Sequence, residues 1–365
     1  MSRPTRFPSV NVATAILVIG AASGLSAWAQ ETVKPDSDKP STPLNSVAAI
    51  DSQYRKELDE IEKRRLDRLA TLAGKQAKDE ANRTYETYFR GAIAANLFAE
   101  AEPVAERVLR SKETGSSVIL LADLVKIMAE VGRGAYEDSL ASLTLALGDP
   151  DPARAGPAAV PHPLTVDARL TLLDAYFQRL TQGEQFALAR KAFTSVRDRT
   201  THPTVKAFAV SRLARLDLVG KPAPPIAGTD LDGRPVRLAD FQGNAVLVVF
   251  WASWCLNNAE EVSRLDAIYA AHRDRGLRIV GINLDSLEEG GKTPDAVRSA
   301  VRHFLLEYNV RWPNLINGSG NQDYARAYAV SEIPANVLIG RDGTVNQLDL
   351  TRSNLEKAVV RALGQ

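Results

Sequence analysis

Apolar residues recur at every third or fourth position from Val47 to about Val219, which predicts helices along this stretch. The first predicted helix is highly charged and carries four apolar residues on one face: Ile50, Tyr54, Leu58 and Ile61. The later helices form successive pairs: one ending near Leu97 before 98–110, 116–131 before 135–147, and 164–180 before 184–198. The pattern therefore predicts an all-helical domain over 46–219, made of tetratricopeptide-like hairpins or of an ordinary bundle.

Near Gly220 the helical spacing gives way to short, continuous apolar runs. Ala245–Phe250 is typical of a strand buried on both faces, and 277–284 and 336–339 predict two further strands. Helical spacing returns between these strands, and two Asp-Gly pairs predict hairpin turns, at 232–233 and 342–343. Strands that alternate with helices predict a mostly parallel α/β sheet in this part of the chain.

The first 29 residues have the order of a secretory signal peptide, with two arginines, an apolar run over 12–25 and then small residues. We expect cleavage after Ala29, with an uncleaved membrane anchor as the alternative. Residues 30–45 are rich in Pro, Ser, Asp and Lys and predict a flexible linker. The mature protein is expected to be extracytoplasmic, in the periplasm or secreted, without stable membrane insertion.

Composition and charge narrow the function classes. The 365 residues carry 45 Lys+Arg and 44 Asp+Glu, a formal net charge of +1, so charge gives no support to nucleic-acid binding. A single cysteine excludes a disulfide within the chain and a zinc site built from cysteines. The four histidines have no metal-ligand spacing, and we predict neither a metal site nor a cofactor.

The single cysteine, Cys255, stands shortly after the first buried strand, where the next helix is predicted to begin. A thiol at a helix N-terminus faces unpaired backbone N–H groups and the positive end of the helix dipole. Both favour the thiolate and should lower the pKa of Cys255 below that of a free cysteine. Because the thiolate is the nucleophile in thiol–disulfide exchange, Cys255 is the candidate catalytic residue.

Several segments after Gly220 follow one another in the order of a known family. They are GKPAP at 220–224, DLDGRPVRLADF at 230–241, VFWASWC at 249–255, EIP at 332–334 and RDGT at 341–344. The set resembles the thioredoxin fold, and specifically the extracytoplasmic TlpA/ResA-like, redoxin (AhpC/TSA-related) branch. The resemblance covers 220–365 and implies a thioredoxin-like domain that acts as a thiol–disulfide oxidoreductase or isomerase on protein thiols and disulfides or small thiols.

The family motif W-C-x-x-C reads Trp254-Cys255-Leu256-Asn257-Asn258 here. The resemblance thus places Asn258 at the position of the resolving cysteine, and an asparagine cannot attack a mixed disulfide. Three roles remain open for Cys255: a single nucleophile that needs an external resolving thiol, a one-cysteine peroxidatic residue, or an inert residue. Ala252 stands where the peroxiredoxin signature has threonine, which disfavours the peroxidase.

The resemblance also implies substrate-binding residues. Pro334 corresponds to the proline that is cis in this fold, and it would face the thiol and leave the backbone groups of Ile333 to pair with an extended substrate. Three tryptophans, 251, 254 and 312, are candidates for an apolar rim. Trp251 fits the core better, whereas Trp254 is the best candidate for substrate contact because it directly precedes the cysteine.

Asp285 follows the second predicted strand, at the end of the sheet where α/β proteins place functional residues. An acidic side chain in a loop is more often solvated, and this is the interpretation that we favour for Asp285.

Two functions of different classes follow for the whole chain. The first is an extracytoplasmic thiol–disulfide oxidoreductase that uses Cys255 alone. The alternative is a redox-inactive binding or scaffold protein that recognises a protein partner through its helical domain, and a one-cysteine peroxidase is a minor alternative.

Overall fold

The computed structural model describes residues 46–111, 114–148, 164–254, 259–287 and 294–364. The predicted signal peptide (1–29) and linker (30–45) lie outside these ranges. Two compact units divide the chain, and the division falls between Tyr176 and Phe177. Within the described ranges, no helix is both long and apolar enough to cross a membrane.

The unit up to Tyr176 is helical, as the apolar spacing predicts. Its helices are α1 (Val47–Ala73), α2 (Lys78–Ala94), α3 (Phe98–Leu109), α4 (Ser116–Gly132), α5 (Tyr136–Ala146) and the first part of α6 (Val166–Gln182). The bounds of the predicted helices agree with those of α2 to α6 to within two or three residues, and α4 packs against α2, α3 and α5. Their arrangement as tetratricopeptide-like hairpins or as a bundle stays a prediction.

Small side chains bring the helices of this unit close together. Ala92 on α2, Ala101 and Ala105 on α3 and Ala122 on α4 are fully buried in one core cluster. Phe89 fills the space beside them and meets Tyr88 edge-on, with ring centroids 5.1 Å apart. Burying a large apolar side chain contributes about 1.5–3 kcal/mol, so this cluster stabilises the packing of α2, α3 and α4.

The unit from Phe177 onwards combines helices with a sheet. Its helices are α7 (Phe186–Arg199), α8 (Pro203–Leu216), α9 (Ala259–His272), α10 (Pro294–Glu307), α11 (Tyr324–Ala327) and α12 (Leu355–Ala362). Its strands are β1 (Ala227–Thr229), β2 (Pro235–Arg237), β3 (Ala245–Trp251), β4 (Leu277–Asn283), β5 (Asn314–Ile316), β6 (Ala335–Ile339) and β7 (Val345–Leu348). The strands β1 and β2 form a separate hairpin, and the other five form one sheet.

The five-stranded sheet has the order β5-β4-β3-β6-β7. The strands β3, β4 and β5 are parallel, whereas β6 and β7 are antiparallel to their neighbours. All seven residues of the central strand β3 are buried, as its continuous apolar run predicts. Separate apolar clusters cover the two faces of the sheet, so both faces lie in a core. The predicted α/β fold after a helical region is confirmed.

The strand β5 was absent from the sequence-based prediction, because three residues are too few to show a pattern. Its position is fixed by Asn314, whose side-chain oxygen accepts a hydrogen bond from the Trp251 indole at 3.0 Å. Gly281 on β4 makes room for this contact, since a Cβ there would lie 1.8 Å from Asn314 Oδ1. Any larger residue at position 281 would therefore displace Asn314 from Trp251.

Candidate functional site

The strand β3 leads directly to the cysteine motif. Trp251 ends the strand and is buried, Ala252 is also buried, and Trp254 is half exposed. Cys255 and Asn258 lie outside the described residues. The described neighbours of these two residues are Trp254, which precedes Cys255, and α9, which begins at Ala259 directly after Asn258.

Asp285 ties the segment before Cys255 to the neighbouring strand. Its Oδ1 atom accepts hydrogen bonds from the Ser253 backbone N–H at 2.7 Å and from the Asn283 side-chain amide at 3.2 Å. The N–H of Leu284 also donates to the carbonyl of Trp251 at 2.8 Å. These bonds hold residues 251–253 against the carboxyl end of β4.

The prediction that Asp285 is a solvated loop residue was wrong. Its exposed fraction is 1%, because the carboxylate turns inward to the backbone of the loop that follows β3. Its second oxygen, Oδ2, is buried and has no hydrogen-bond partner within the part of the chain that the structure describes. The sequence pattern therefore raised Asp285 as a candidate but assigned its carboxylate to solvent, whereas the carboxylate binds the backbone of Ser253. Its position directly after a buried parallel strand was the available signal.

The Ile333–Pro334 peptide bond is cis, as the family resemblance implies. In the antiparallel register of β3 and β6, Phe250 pairs with Ala335. Pro334 directly precedes Ala335, so the cis bond lies at the end of β6 that pairs with the carboxyl end of β3, just before the cysteine motif. Within the described ranges, the N–H and carbonyl of Ile333 have no hydrogen-bond partner.

Helix α8 holds the segment that contains the cis proline. The Arg212 guanidinium donates to a carboxylate oxygen of Glu332 at 2.8 Å, and the hydroxyls of Ser211 and Ser331 are 2.8 Å apart. The Arg212 guanidinium also lies over the ring of Phe208, 4.4 Å from its centroid. The Arg212 guanidinium is thus held by the Phe208 ring and in turn binds Glu332, which directly precedes Ile333.

Arg215, one turn further along α8, is buried and forms hydrogen bonds to the backbone on both sides of the same segment. It donates to the carbonyl of Tyr328 at 2.8 Å and to the carbonyl of Asn336 at 2.9 Å. It also binds both carboxylate oxygens of Asp349, at 2.6 and 3.2 Å. The residues around Pro334 are thus bound to α8, which lies before the first strand of the five-stranded sheet in the sequence.

The side chain of Tyr328 also stabilises the segment before the cis proline. Burial raises the pKa of its hydroxyl, which stays neutral and donates to the carbonyl of Pro224 at 2.6 Å. Its ring lies 5.5 Å from that of Phe250 on β3. The side chain of Tyr328 therefore connects the segment before the cis proline to the central strand.

The predicted tryptophan rim is only partly correct. Trp254 is exposed, as a substrate-contact residue requires, and Leu287 beyond Asp285 is a second exposed apolar side chain. Trp251 is buried, which confirms the core interpretation. Trp312 is also buried, with its ring 6.1 Å from that of Tyr269, so its placement on the rim was wrong. It directly precedes Pro313 and β5, the strand that the sequence pattern did not reveal.

Among the described residues, no three His, Cys, Asp or Glu side chains lie close enough together to hold a metal ion. The polar groups that converge here are instead backbone N–H groups and carbonyls, one buried carboxylate and two arginines. This arrangement orients the backbone on either side of the cysteine motif.

Known proteins are similar in sequence to the C-terminal part of this chain. A model of the AhpC/TSA family matches residues 219–348. The thiol-disulfide oxidoreductase ResA of Bacillus thuringiensis subsp. konkukian is 30% identical over 129 residues, which are 35% of this chain and 68% of that protein. The chain belongs to the TlpA/ResA-like redoxin family.

Further ResA-like proteins match the same region. ResA of Geobacillus kaustophilus is 27% identical over 143 residues, 38% of this chain and 75% of that protein. Among solved structures, the thioredoxin domain of a thiol-disulfide oxidoreductase from Bacteroides vulgatus is 26% identical and covers 40% of this chain and 98% of its own, with a TM-score of 0.34. A thiol:disulfide interchange protein from Bacteroides sp. is 26% identical over 40% of this chain and 91% of its own, with a TM-score of 0.34.

The ResA-like region begins near residue 219, although the compact unit around the sheet begins at Phe177. The helices α7 and α8 are thus additions to the ResA-like region that pack as part of the same unit. The contacts of Arg212 and Arg215 give the physical reason, since both side chains of α8 bind residues that flank the cis proline.

Proposed function

We propose that the C-terminal unit carries out thiol–disulfide exchange with Cys255 as its single nucleophile, and that an external thiol resolves the product. The family supplies the reaction class, because its ResA members are named as thiol-disulfide oxidoreductases. The observation that carries the proposal is the cis Ile333–Pro334 bond at the end of β6, whose next residue, Ala335, pairs with Phe250. It supports a role for the backbone groups of Ile333, which have no hydrogen-bond partner among the described residues, in binding a substrate near the segment that leads to Cys255.

The reaction has two displacement steps. The Cys255 thiolate attacks one sulfur of a substrate disulfide R–S–S–R′, the S–S bond breaks, and R′S⁻ leaves with the electron pair. An external thiolate R″S⁻ then attacks the sulfur of R in the mixed disulfide. R–S–S–R″ is released and the Cys255 thiolate is regenerated. Asn258 has no thiol for the second step, so the external thiol is an obligatory reactant.

The described residues have distinct tasks in this scheme. Backbone groups of Ile333 pair with an extended substrate in the way that a strand adds to a sheet edge, and Trp254 supplies an apolar contact. Asp285 holds the backbone of Ser253, and α8 holds the segment before Pro334. These contacts fix two pieces of backbone whose separation determines whether a substrate sulfur reaches Cys255.

An extracytoplasmic location is part of the proposal. It is supported by the charged, apolar and small-residue order of the first 29 residues. Substrate disulfides persist in such compartments, which suits an exchange reaction that starts from a disulfide.

Single-turnover kinetics test the proposed reaction. The full chain is mixed with a peptide that carries a disulfide to a chromogenic aromatic thiol, with and without glutathione. We expect one equivalent of released thiol without glutathione, an accumulated mixed disulfide by mass spectrometry, and repeated turnover when glutathione is added. The Cys255→Ala variant should release no thiol above the background.

The Asn258→Cys variant is the matched control for the missing resolving group. It should release the mixed disulfide without glutathione and retain an internal disulfide between positions 255 and 258. A wild-type chain that reacts no faster than an unfolded cysteine peptide would overturn the proposal in favour of a redox-inactive domain.

A further inference from the structure

The longest helix, α1, exposes a continuous apolar stripe on its surface. Six large apolar side chains of this helix have exposed fractions between 41% and 75%: Val47, Ile50, Tyr54, Leu58, Ile61 and Leu72. The first five follow one another at steps of three or four residues, and Arg65 and Arg68 continue the same steps to Leu72. At about 100° per residue, all eight positions fall within a narrow arc of the helix.

This stripe is not the face through which α1 packs in its own unit. The buried residues of α1 are Leu66 and Ala73, and both belong to its C-terminal half, which packs against α2. They lie about 100° around the helix from the stripe. The six apolar side chains of the stripe are therefore exposed in the described part of the chain, although covering one large apolar side chain contributes about 1.5–3 kcal/mol.

Six of the eight stripe positions face another stripe position when two copies of α1 run antiparallel. With the midpoint between Asp59 and Glu60, Val47 of one copy lies opposite Leu72 of the other, and Leu58 lies opposite Ile61. Tyr54 then lies opposite Arg65, whose guanidinium donates to Glu62 of its own helix at 3.0 Å. A parallel pair would instead place Arg65 against Arg65, which like-charge repulsion disfavours.

The charges beside the stripe support the same register. Arg68, itself a stripe position, falls at the same level as Asp51 of the other copy. Arg55 falls near Glu62, and Glu57 falls near Arg64, again with unlike charges. Each pair occurs twice in a symmetric dimer, and flanking charges of this kind set the partner and orientation of paired helices.

The overall charge of α1 argues against a membrane as the occupant of the stripe. The helix contains six acidic and six basic residues, so its net charge is zero. Helices that lie on anionic membranes carry an excess of Lys and Arg on the polar face. A second copy of α1 matches both the apolar stripe and the mixed charges that flank it.

We propose that α1 is the dimerisation element of this protein and pairs with α1 of a second copy in an antiparallel two-helix interface. The apolar stripe forms the seam between the helices, and the mixed charges at its edges fix the antiparallel register. This interface does not involve the reaction at Cys255, so its test is separate from the test of the proposed function.

Sedimentation equilibrium of the full chain under reducing conditions tests the interface, because a reductant removes any disulfide dimer through Cys255. We expect a dimer for the wild type. The Ile50→Lys/Leu58→Lys variant should raise the dissociation constant at least tenfold while the circular dichroism of the helices is retained. The matched control, Ser52→Lys/Thr71→Lys, adds the same charge at exposed positions off the stripe and should remain dimeric.

A charge exchange tests the orientation. Arg55→Glu should weaken the dimer, and the added change Glu62→Arg should restore it. A wild type that stays monomeric at all concentrations, or an Ile50→Lys/Leu58→Lys variant that dimerises as well as the wild type, would overturn the interface. A monomer that floats with lipid vesicles through the stripe would overturn it in favour of a membrane, and failed restoration would overturn the antiparallel register.

Discussion

At the scale of single residues, Asp285 connects two strand ends that the substrate site requires. One of its carboxylate oxygens accepts the backbone N–H of Ser253, two residues before the predicted nucleophile. Because the carboxylate is buried, its loss leaves the Ser253 N–H without this acceptor and leaves a gap behind the loop. We regard Asp285 as a positioning residue for the loop that leads to Cys255.

The Asp285→Ala variant should slow the reaction of Cys255 with a peptide disulfide about tenfold, and lower the free energy of unfolding by about 1–3 kcal/mol. The physical reason is the unpaired N–H of Ser253 and a looser loop. Asp285→Asn retains an oxygen that accepts this N–H and should recover most of the rate. The exchange assay and urea unfolding measure the two effects.

Asp274→Ala is the matched control, because Asp274 is 88% exposed and only its contact with Arg273 at 3.7 Å is lost. It should change neither the rate nor the stability. Equal rates for Asp285→Ala and the wild type would contradict the positioning role.

Sequence reasoning identified the strand before Asp285 but not the burial of the carboxylate. Whether a residue directly after a strand is solvated or buried depends on the neighbouring loop. For Asp285 that loop follows a different strand, β3, so the sequence around Asp285 does not reveal its burial. The same limit explains Trp312, whose burial depends on β5 and on Tyr269. By contrast, Trp251 lies in a continuous apolar run, so its burial could be predicted from neighbours in the sequence alone.

At the scale of elements, helix α8 holds the substrate segment through Arg215. The guanidinium is buried, and its partners are two backbone carbonyls and the carboxylate of Asp349. Removing one partner of a buried ion pair leaves an uncompensated charge in a region of low dielectric. The two carbonyls, at Tyr328 and Asn336, also lose their donor.

Arg215→Ala should lower the free energy of unfolding of the C-terminal unit by about 3–5 kcal/mol and slow the exchange reaction. Urea unfolding monitored by tryptophan fluorescence measures the first effect. Arg190→Ala is the control on the adjacent helix, because Arg190 forms an exposed pair with Asp217 and one hydrogen bond to the carbonyl of Leu216, and their loss should cost about 1–2 kcal/mol. Similar losses for the two variants would contradict the anchoring role of α8.

A second element, α4, carries a titratable group in an apolar setting. Burial raises the pKa of the Asp123 carboxyl to about 7, and the nearby Lys126 only partly opposes this shift. The folded state thus binds a proton that the unfolded chain has already released between pH 4 and 7. Because the folded-state pKa is raised, the associated stability is present at low pH and is lost as the pH rises through 7.

Asp123→Asn should remove this pH dependence. Relative to the wild type, the variant should gain stability on the order of 2–4 kcal/mol between pH 4 and pH 8, since one pKa unit is about 1.4 kcal/mol. Urea unfolding followed by circular dichroism at several pH values measures the difference. The buried Glu130 also titrates with a raised pKa, but it is present in both proteins and cancels from the comparison. Parallel curves for the two proteins would contradict the assignment.

The elements that could be predicted are those with long, regular patterns. The paired helices of the first unit and the strands β3, β4 and β6 follow apolar spacing, and their ends agree within a few residues. The packing of α8 with the sheet was missed, since it depends on contacts of Arg215 with residues more than a hundred positions away.

At the scale of the whole molecule, two units share one chain and a single thiol. The sequence contains one cysteine, so every thiol reaction of the full chain reports on Cys255. The helical unit and the ResA-like unit have separate cores, and the family comparison covers the second of them. The proposed dimer interface belongs to the first unit, whereas the proposed reaction belongs to the second.

The most direct test of the central claim is the pH dependence of Cys255 alkylation in the native and in the urea-unfolded chain. We predict that the native thiol reacts readily without unfolding, and that its titration midpoint lies at a lower pH than that of the unfolded chain. Such a shift means that the environment of Cys255 stabilises the thiolate. A thiol that reacts only after unfolding, or that titrates at the same pH in both states, would contradict a nucleophilic role for Cys255.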